Sequence, residues 1–72
     1  MRKQGLIKNF ERALLIRAGH TDADIANELG LSLTSVYTYW RNLTKKLGVR
    51  TRTAALIKAL KLGEVTVKQL IV

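Results

Sequence analysis

Residues 21–47 read TDADIANELGLSLTSVYTYWRNLTKKL. Within this stretch, Thr21 and Ser32 are hydroxyl residues of the kind that cap helix N-termini, and apolar residues at helical spacing follow each of them. Gly30 lies between the two segments, where a left-handed backbone conformation is accessible because glycine lacks a Cβ. Together with the small Ala26, which lets the two helices approach, this pattern predicts a helix-turn-helix.

The second helix of this motif has two faces that the spacing separates. Apolar residues recur at i, i+4, i+7 and i+11, so we expect one face to be buried. The apolar face consists of Val36, Trp40, Leu43 and Leu47. The polar face consists of Thr34, Tyr37, Thr38, Arg41 and Lys45. Because tyrosine and threonine are poorer helix formers than the Glu, Lys and Gln of a purely solvated face, the polar stripe favours contact with the major groove of DNA.

Composition restricts the class of protein. A chain of 72 residues forms one domain, and without cysteine it has neither disulfides nor thiolate metal sites. Its apolar runs are too short to cross a bilayer and no signal-peptide pattern opens it, so we expect a soluble cytoplasmic protein. The net charge of +8 and the pI of about 10.5 favour a polyanionic partner, and hence association with the nucleoid.

The distribution of the basic residues is more informative than their number. A block of cations follows the turn of the motif. It comprises Arg41, Lys45, Lys46, Arg50 and Arg52. Taken singly, such residues usually form a solvated face, but a one-sided block beside a helix-turn-helix favours nucleic acid as the partner.

The remaining patterns predict an all-α four-helix bundle. We place its helices at residues 6–18, 22–29, 33–47 and 52–62. The apolar residues of the first helix, which we assign to the core, are Leu6, Phe10, Ala13, Leu14 and Ile16. Gly19 is predicted to end that helix. Residues 1–5 are predicted to be a flexible basic arm, and residues 64–72 an apolar tail that either packs on the bundle or leaves a surface for a missing partner.

The sequence does not indicate a catalytic or metal site. His20 is the only histidine and has no further ligand at a suitable spacing, so we interpret it as a loop residue. The spacing of Asp22 and Asp24 resembles that of a catalytic pair of carboxylates. However, carboxylates in the first turn of a helix interact favourably with the macrodipole, so we assign both a structural role. No nucleophile–base pair and no phosphate-binding glycine loop occurs. We therefore predict no catalytic residue, no metal, no cofactor and no enzymatic activity.

The chain resembles the LuxR/GerE-type helix-turn-helix domain of bacterial transcription regulators. The match covers residues 23–63 without an insertion and reads ADIANELGLSLTSVYTYWRNLTKKLGVRTRTAALIKALKLG; a weaker match extends back to about Lys8. Its most specific part is KKLGVRTRTAAL, residues 45–56. The K-L-G-V-x-x-R-[ST] pattern there distinguishes this family from other helix-turn-helix folds, which share the A-x-x-x-G-x-x-x-x-x-V spacing.

The resemblance implies a four-helix DNA-binding domain, assigned here to residues 6–63. Its third helix, Leu33 to Leu47, is expected to lie in the major groove, and its fourth to pair with a copy in a second subunit. The implied base contacts are Thr34, Tyr37, Thr38 and Arg41. The implied phosphate contacts are Ser32, Ser35, Lys45, Lys46, Arg50 and Arg52. RNA polymerase is a further candidate partner.

The chain departs from the family pattern at several positions. The family usually has a basic residue at the position of Tyr37, a histidine at that of Tyr39, an acidic residue at that of Leu33 and an L-T-x-R-E opening at residues 5–9. We therefore expect Tyr37 to change the base preference, or to contact a phosphate or a thymine methyl in place of the usual base. The altered opening leaves the start of the first helix undetermined.

We thus predict sequence-specific double-stranded DNA binding in bacterial transcriptional regulation. The first alternative is a protein-interaction module that uses the helix-turn-helix to dock an acidic partner. RNA binding is a weaker one, because only Tyr37 and Tyr39 offer a stacking platform. Ala55, Ala59 and Leu62 of the fourth helix suggest dimerisation through this helix. The competing interpretation is that these residues are buried within the monomer. The sequence fits both a self-contained small regulator and the output domain of a longer one.

Overall fold

A computed structural model describes residues 6–71 of the chain. These residues form four α-helices and a short 3-10 helix, and no strand. The helices are α1 (Asn9–Leu15), α2 (Asp22–Leu29), α3 (Leu33–Leu47) and α4 (Arg52–Leu62), followed by the 3-10 helix Val67–Gln69. The all-α class and the helix-turn-helix formed by α2 and α3 are confirmed, whereas the predicted arm at residues 1–5 lies outside the described residues.

Hydroxyl caps and left-handed glycines set the bounds of three helices. The N-caps of α2, α3 and α4 each accept a hydrogen bond from the backbone N–H three residues later. They are Thr21, Ser32 and Thr51, with N···O distances of 3.1, 3.0 and 3.0 Å. Gly30 and Gly48 follow α2 and α3 with φ of 69° and 71°, where a side chain would be strained. The predicted bounds of α2, α3 and α4 are therefore confirmed.

The prediction of a first helix over residues 6–18 is wrong at both ends. Lys8 has an extended backbone, with φ −90° and ψ 166°, and its N–H donates to the Glu11 carboxylate at 2.8 Å, so the helix begins only at Asn9. After Leu15 the chain leaves the helix through tighter i to i+3 hydrogen bonds, such as that from the Arg17 N–H to the Leu14 carbonyl. Thus α1 has only seven residues.

The apolar pattern overestimates the length of α1, because the non-helical residues beside the helix also contribute buried side chains. Ile7 is only 2 % exposed although it precedes the helix, and Ile16 packs against the core from the turn that follows it. Phe10, assigned to the core from sequence, is instead 45 % exposed and contacts the Tyr39 ring, with ring centroids 4.9 Å apart. Leu6 is also exposed.

The core is built around Trp40 of α3. The other buried apolar residues, drawn from all four helices and both flanking segments, are Ile7, Leu14, Leu15, Ile25, Ala26, Val36, Leu43, Leu47, Ala55, Ala59 and Val65. The whole predicted apolar face of α3 belongs to this set, so burial fixes the rotation of α3 about its own axis. The opposite face of the helix is consequently turned outward.

The residues after α4 pack back onto α1. Val65 is buried, and the Ile71 N–H donates to the Ile16 carbonyl at 2.7 Å. The Arg12 guanidinium donates to the Glu64 carbonyl at 2.8 Å and lies 3.1 Å from the Glu64 carboxylate. Of the two possibilities left open for the tail, packing on the bundle is therefore the one observed over residues 64–71.

Candidate nucleic-acid interface

The polar face of α3 is accessible along its length. Thr34, Tyr37, Arg41 and Lys45 are exposed, Tyr37 by 53 %, and Thr38 is half-buried. Directly beneath them lie the buried side chains of the apolar face, of which Trp40 is 2 % exposed. This helix thus presents hydroxyl, phenol and cationic groups outward on a rigid support.

The first turn of α3 offers hydroxyl and backbone donors. The Ser32 hydroxyl oxygen accepts the Ser35 N–H, and its proton is donated to the Ser35 hydroxyl at 3.0 Å. That arrangement leaves the Ser35 proton directed to an acceptor outside this pair. Because the first amides of a helix lack intrahelical acceptors, the helix start is suited to an anion such as a phosphate.

Lys45 and Lys46 are adjacent in α3 but have different surroundings. Lys45 is exposed and forms no ion pair within residues 6–71. The Lys46 Nζ lies 2.7 Å from the Glu11 Oε1, and Glu11 is only 4 % exposed. Lys46 therefore holds the end of α3 against the start of α1 and neutralises a buried carboxylate.

The same contrast recurs at the start of α4. Arg50 is exposed and unpaired within residues 6–71, whereas the Arg52 guanidinium forms an ion pair with Asp22 at the start of α2. The Arg52 Cζ also lies 5.0 Å from the centroid of the Trp40 ring, a cation–π contact. Arg52 thus ties together α2, α3 and α4.

A shallow polar cavity opens between α3 and the turn that leads to α4. We name this cavity the basic notch; it has a volume of about 200 Å³ and is lined by Tyr37, Trp40, Arg41, Thr44, Arg50 and Arg52. The Thr44 hydroxyl donates to the Arg41 carbonyl at 2.9 Å. The Trp40 Nε1 is buried and has no hydrogen-bond acceptor within residues 6–71.

Most of the predicted contact residues lie on one side of the molecule. Two of them differ from the rest because they form internal ion pairs. The predicted base contacts share the exposed face of α3, with Ser32 and Ser35 at its start and Lys45 near its end. Lys46 and Arg52 contribute to the same region, but each already has an internal carboxylate partner.

Two of the residues that shape this surface were missed by the sequence analysis. Glu11 carried no signal of its role, since it lies 35 residues from Lys46 in the chain. Asp22 was explained by the helix macrodipole alone, yet it also binds Arg52, 30 residues away. The side-chain periodicity of α3 could have indicated Thr44 as a neighbour of Tyr37 and Arg41, since the three follow i, i+4 and i+7.

The outer face of α4 differs from the one expected. Ala55 and Ala59, proposed as surface residues for dimerisation, are fully buried in the monomer, and this part of the expectation is wrong. Leu62, the third residue of that expectation, is exposed as expected, and Ile57 is a further exposed apolar residue of α4. They border an open groove of about 450 Å³ whose lining is Ala54, Ile57, Lys58, Lys61 and Leu62.

Residues 6–71 contain no cluster of three or more His, Asp or Glu side chains suited to a metal ion. His20 instead places its Nδ1 3.1 Å from the Glu28 carboxylate. None of the helices in this part of the chain has the length and apolar character needed to cross a bilayer.

Comparison with known proteins identifies a family for this chain. The model of the family described as bacterial regulatory proteins, luxR family (GerE) matches residues 13–59, which is more than half of the chain and includes all of α2 and α3. No curated protein sequence gives a significant match. The matched region contains the helix-turn-helix, Arg50 in the turn before α4 and Arg52 at the start of α4. The chain therefore belongs to the luxR family of DNA-binding bacterial regulatory proteins.

Proposed function

We propose that this protein binds double-stranded DNA sequence-specifically in transcriptional regulation, with α3 in the major groove. The observation that carries the proposal is the exposed polar face of α3, from Thr34 to Lys45, fixed outward by the burial of Trp40 and its apolar neighbours. An α-helix fits the major groove, where base edges present distinct donor and acceptor patterns.

Arg41 is the proposed reader of a guanine. It lies midway along the exposed face and forms no ion pair within residues 6–71, so its guanidinium is available for two parallel hydrogen bonds to guanine O6 and N7. Thr34, Tyr37 and Thr38 contact neighbouring base pairs. Tyr37 presents both a ring edge for a thymine methyl and a hydroxyl for a base or a phosphate.

The phosphate contacts come first from cations without internal partners. Lys45 and Arg50 meet this condition. Ser35 adds a hydroxyl donor at the start of α3, and Ser32 holds it in place through two hydrogen bonds. Lys46 and Arg52 also face this region, but to bind a phosphate they must share or leave the carboxylates of Glu11 and Asp22. Their contribution to affinity is therefore smaller than their charge indicates.

Selection from a random duplex library, followed by salt titration of the selected site and of a scrambled duplex, tests the proposal. We expect one recurrent site and a linear fall of log affinity with log salt. Arg41→Ala should reduce discrimination at one base pair, by a factor corresponding to about 1–3 kcal/mol, with little change in affinity for scrambled DNA. Lys68→Gln, a charge removed from the tail, serves as the control.

Other outcomes of this experiment identify the alternatives. A chain that enriches no duplex but binds an acidic protein in high salt is an interaction module, and one that prefers single-stranded RNA is an RNA binder. Enrichment without sequence convergence would reduce the function to nonspecific DNA binding. Each of these results contradicts the proposed function. A contact with RNA polymerase is a separate proposal, for which retention of the polymerase on the selected duplex is the measurement.

Pairing of two copies through α4 is the proposed assembly on DNA. Ile57 and Leu62 are 48 % and 43 % exposed on the outer side of this helix, next to Lys58 and Lys61. Two copies of α4 would cover this apolar surface and place two recognition helices on half-sites about one helical turn apart. Sedimentation with and without the selected duplex tests this, and Ile57→Lys should leave the monomer folded while preventing cooperative binding of the second copy.

A further inference from the structure

We infer that Leu33 and Tyr37 together read the 5-methyl groups of pyrimidines in the major groove, with Leu33 as a specificity-determining residue. This inference rests on the proposed function and deepens it, because it names the feature of the DNA that the first half of α3 recognises. It also gives Leu33 a role in binding. A 5-methyl group occurs on thymine and on 5-methylcytosine, and duplexes that carry one or the other separate the two sources.

Exposed apolar side chains distinguish the first half of α3 from the second. Leu33 is 45 % exposed and Tyr37 53 % exposed, whereas the residues of the apolar face are buried. Farther along the helix, the exposed residues include Arg41 and Lys45. A single exposed leucine is common on protein surfaces, but Leu33 and Tyr37 are four residues apart and thus neighbours on the helix. The helix therefore combines an apolar start with a basic end.

The chemistry of leucine limits what Leu33 can recognise on a base edge. Its side chain has no hydrogen-bond donor or acceptor. The major groove presents donors, acceptors and the 5-methyl group, of which only the methyl group is apolar. Covering a polar group with leucine would remove its hydrogen bond to water without a replacement, which is unfavourable. Contact with a methyl group instead buries apolar surface on both sides.

The start of α3 holds Leu33 where a recognition helix meets base edges. In helix-turn-helix proteins, the N-terminal residues of this helix make such contacts. Leu33 is the first residue of α3, and the Ser32 hydroxyl fixes this turn through bonds with the N–H and the hydroxyl of Ser35, both 3.0 Å long. The first turn of α3 has no acidic residue, so no carboxylate there repels the DNA backbone.

The presence of Leu33 favours one of the contacts open to Tyr37. The phenol can bind a base or a phosphate through its hydroxyl, or a methyl group through its ring. With Leu33 one turn away, the ring extends an apolar surface, whose burial releases water from both side chains. Four residues span about 6 Å along a helix, less than two base-pair steps of about 3.4 Å. We therefore expect the two methyl groups within two base pairs of each other.

Scanning the selected duplex with 2′-deoxyuridine tests the inference, because this base lacks only the 5-methyl group of thymine. Each thymine is replaced in turn, and each duplex is titrated with the unmodified protein, Leu33→Ala and the control Lys68→Gln. At two positions per half-site, we expect the unmodified protein and Lys68→Gln to lose affinity about fourfold, the equivalent of burying one methyl-sized group at ~0.8 kcal/mol. Leu33→Ala should lose this preference at one of the two positions.

Two substitutions of Tyr37 separate its ring from its hydroxyl. Tyr37→Phe keeps the ring and should retain the preference for thymine over uracil at the second position, whereas Tyr37→Ala should abolish it. If the preference is lost as fully in Tyr37→Phe as in Tyr37→Ala, the contact belongs to the hydroxyl and the role of the ring is overturned.

Methylated cytosine separates the methyl group from the rest of thymine. The T·A pair that Leu33 reads is replaced by C·G, with and without a 5-methyl group on the cytosine, and we expect the methylated duplex to bind about fourfold tighter. Tighter binding of the T·A duplex than of the methylated one identifies thymine as the natural ligand, and the reverse order identifies 5-methylcytosine. Equal affinities of the two C·G duplexes would overturn the inference.

The outcomes separate this inference from the function on which it rests. If no duplex is enriched, the proposed function fails and the inference with it. If a specific duplex is bound but uracil replaces thymine everywhere without loss, or Leu33→Ala keeps the full preference at every position, the inference alone is overturned. A selected half-site without two thymines within two base pairs also contradicts it. Because Leu33 is exposed, Leu33→Ala should fold normally, which circular dichroism checks.

Discussion

Lys46 and Arg52 differ from Lys45 and Arg50 in their surroundings and not in their chemistry. The first two, which we call the inner cations, are paired with the carboxylates of Glu11 and Asp22. Lys45 and Arg50, the outer cations, are exposed and form no ion pair within residues 6–71. Members of the two sets are one or two residues apart in the chain.

The difference shows that a basic block is not a uniform binding surface. An inner cation stabilises the fold because its removal leaves a partly or wholly buried carboxylate without its counterion. An outer cation contributes little to stability, since it contacts mainly water, but it can release counterions from DNA. Stability and salt dependence are therefore expected to separate when the two sets are mutated.

The largest effect is expected from Lys46→Met. Glu11, 4 % exposed, would keep its hydrogen bond from the Lys8 N–H but lose its counterion, so we expect the free energy of unfolding to fall by about 1–3 kcal/mol. Thermal unfolding followed by circular dichroism measures this. Lys45→Met is the matched control and should change stability by less than about 0.5 kcal/mol. Equal losses for the two variants would show that Glu11 does not depend on Lys46.

A smaller effect is expected from Arg52→Lys. Lysine keeps the charge but cannot reproduce the two-pronged contact with Asp22 or the stacking on Trp40, so stability should fall by about 1 kcal/mol. A double-mutant cycle with Asp22→Asn, measured by denaturant unfolding, isolates the ion pair, whose partial exposure limits its strength. A coupling energy indistinguishable from zero would argue against Arg52 as the link between α2 and α4.

The smallest effect on stability, but a distinct effect on binding, is expected from Lys45→Gln. If Lys45 neutralises one phosphate, the slope of log affinity against log salt should decrease in magnitude by about 0.9 for any duplex. Lys46→Gln should change the slope less, because Lys46 is already neutralised by Glu11. Salt titrations of both variants on one duplex decide this, and a larger change in slope for Lys46→Gln would reverse the ranking.

Local signals were sufficient to predict α2, α3 and α4. Thr21, Ser32 and Thr51 act through hydrogen bonds three residues away, and Gly30 and Gly48 act at their own positions, so each effect is contained in a short stretch of sequence. The outward face of α3 followed from helical periodicity for the same reason. Its role in reading base pairs remains a prediction.

Distant contacts explain what could not be predicted. The start of α1 depends on Glu11, which binds both a neighbouring N–H and Lys46, 35 residues later. The position of the tail depends on the pairing of Arg12 with Glu64, 52 residues away. Sequence spacing gives no measure of such contacts. It likewise could not separate the inner from the outer cations, since all four carry the same kind of charge.

The shortness of α1 has a consequence for motion. A helix of seven residues does not persist by itself, so α1 depends on its contacts with α3 and with the tail. We expect its amides to exchange with solvent deuterium before those of α3, through local opening of the N-terminal segment. Each opening would separate Glu11 from Lys46 and add one cation to the surface beside α3. Local opening of α1 would in this way transiently increase the affinity of the domain for any polyanion.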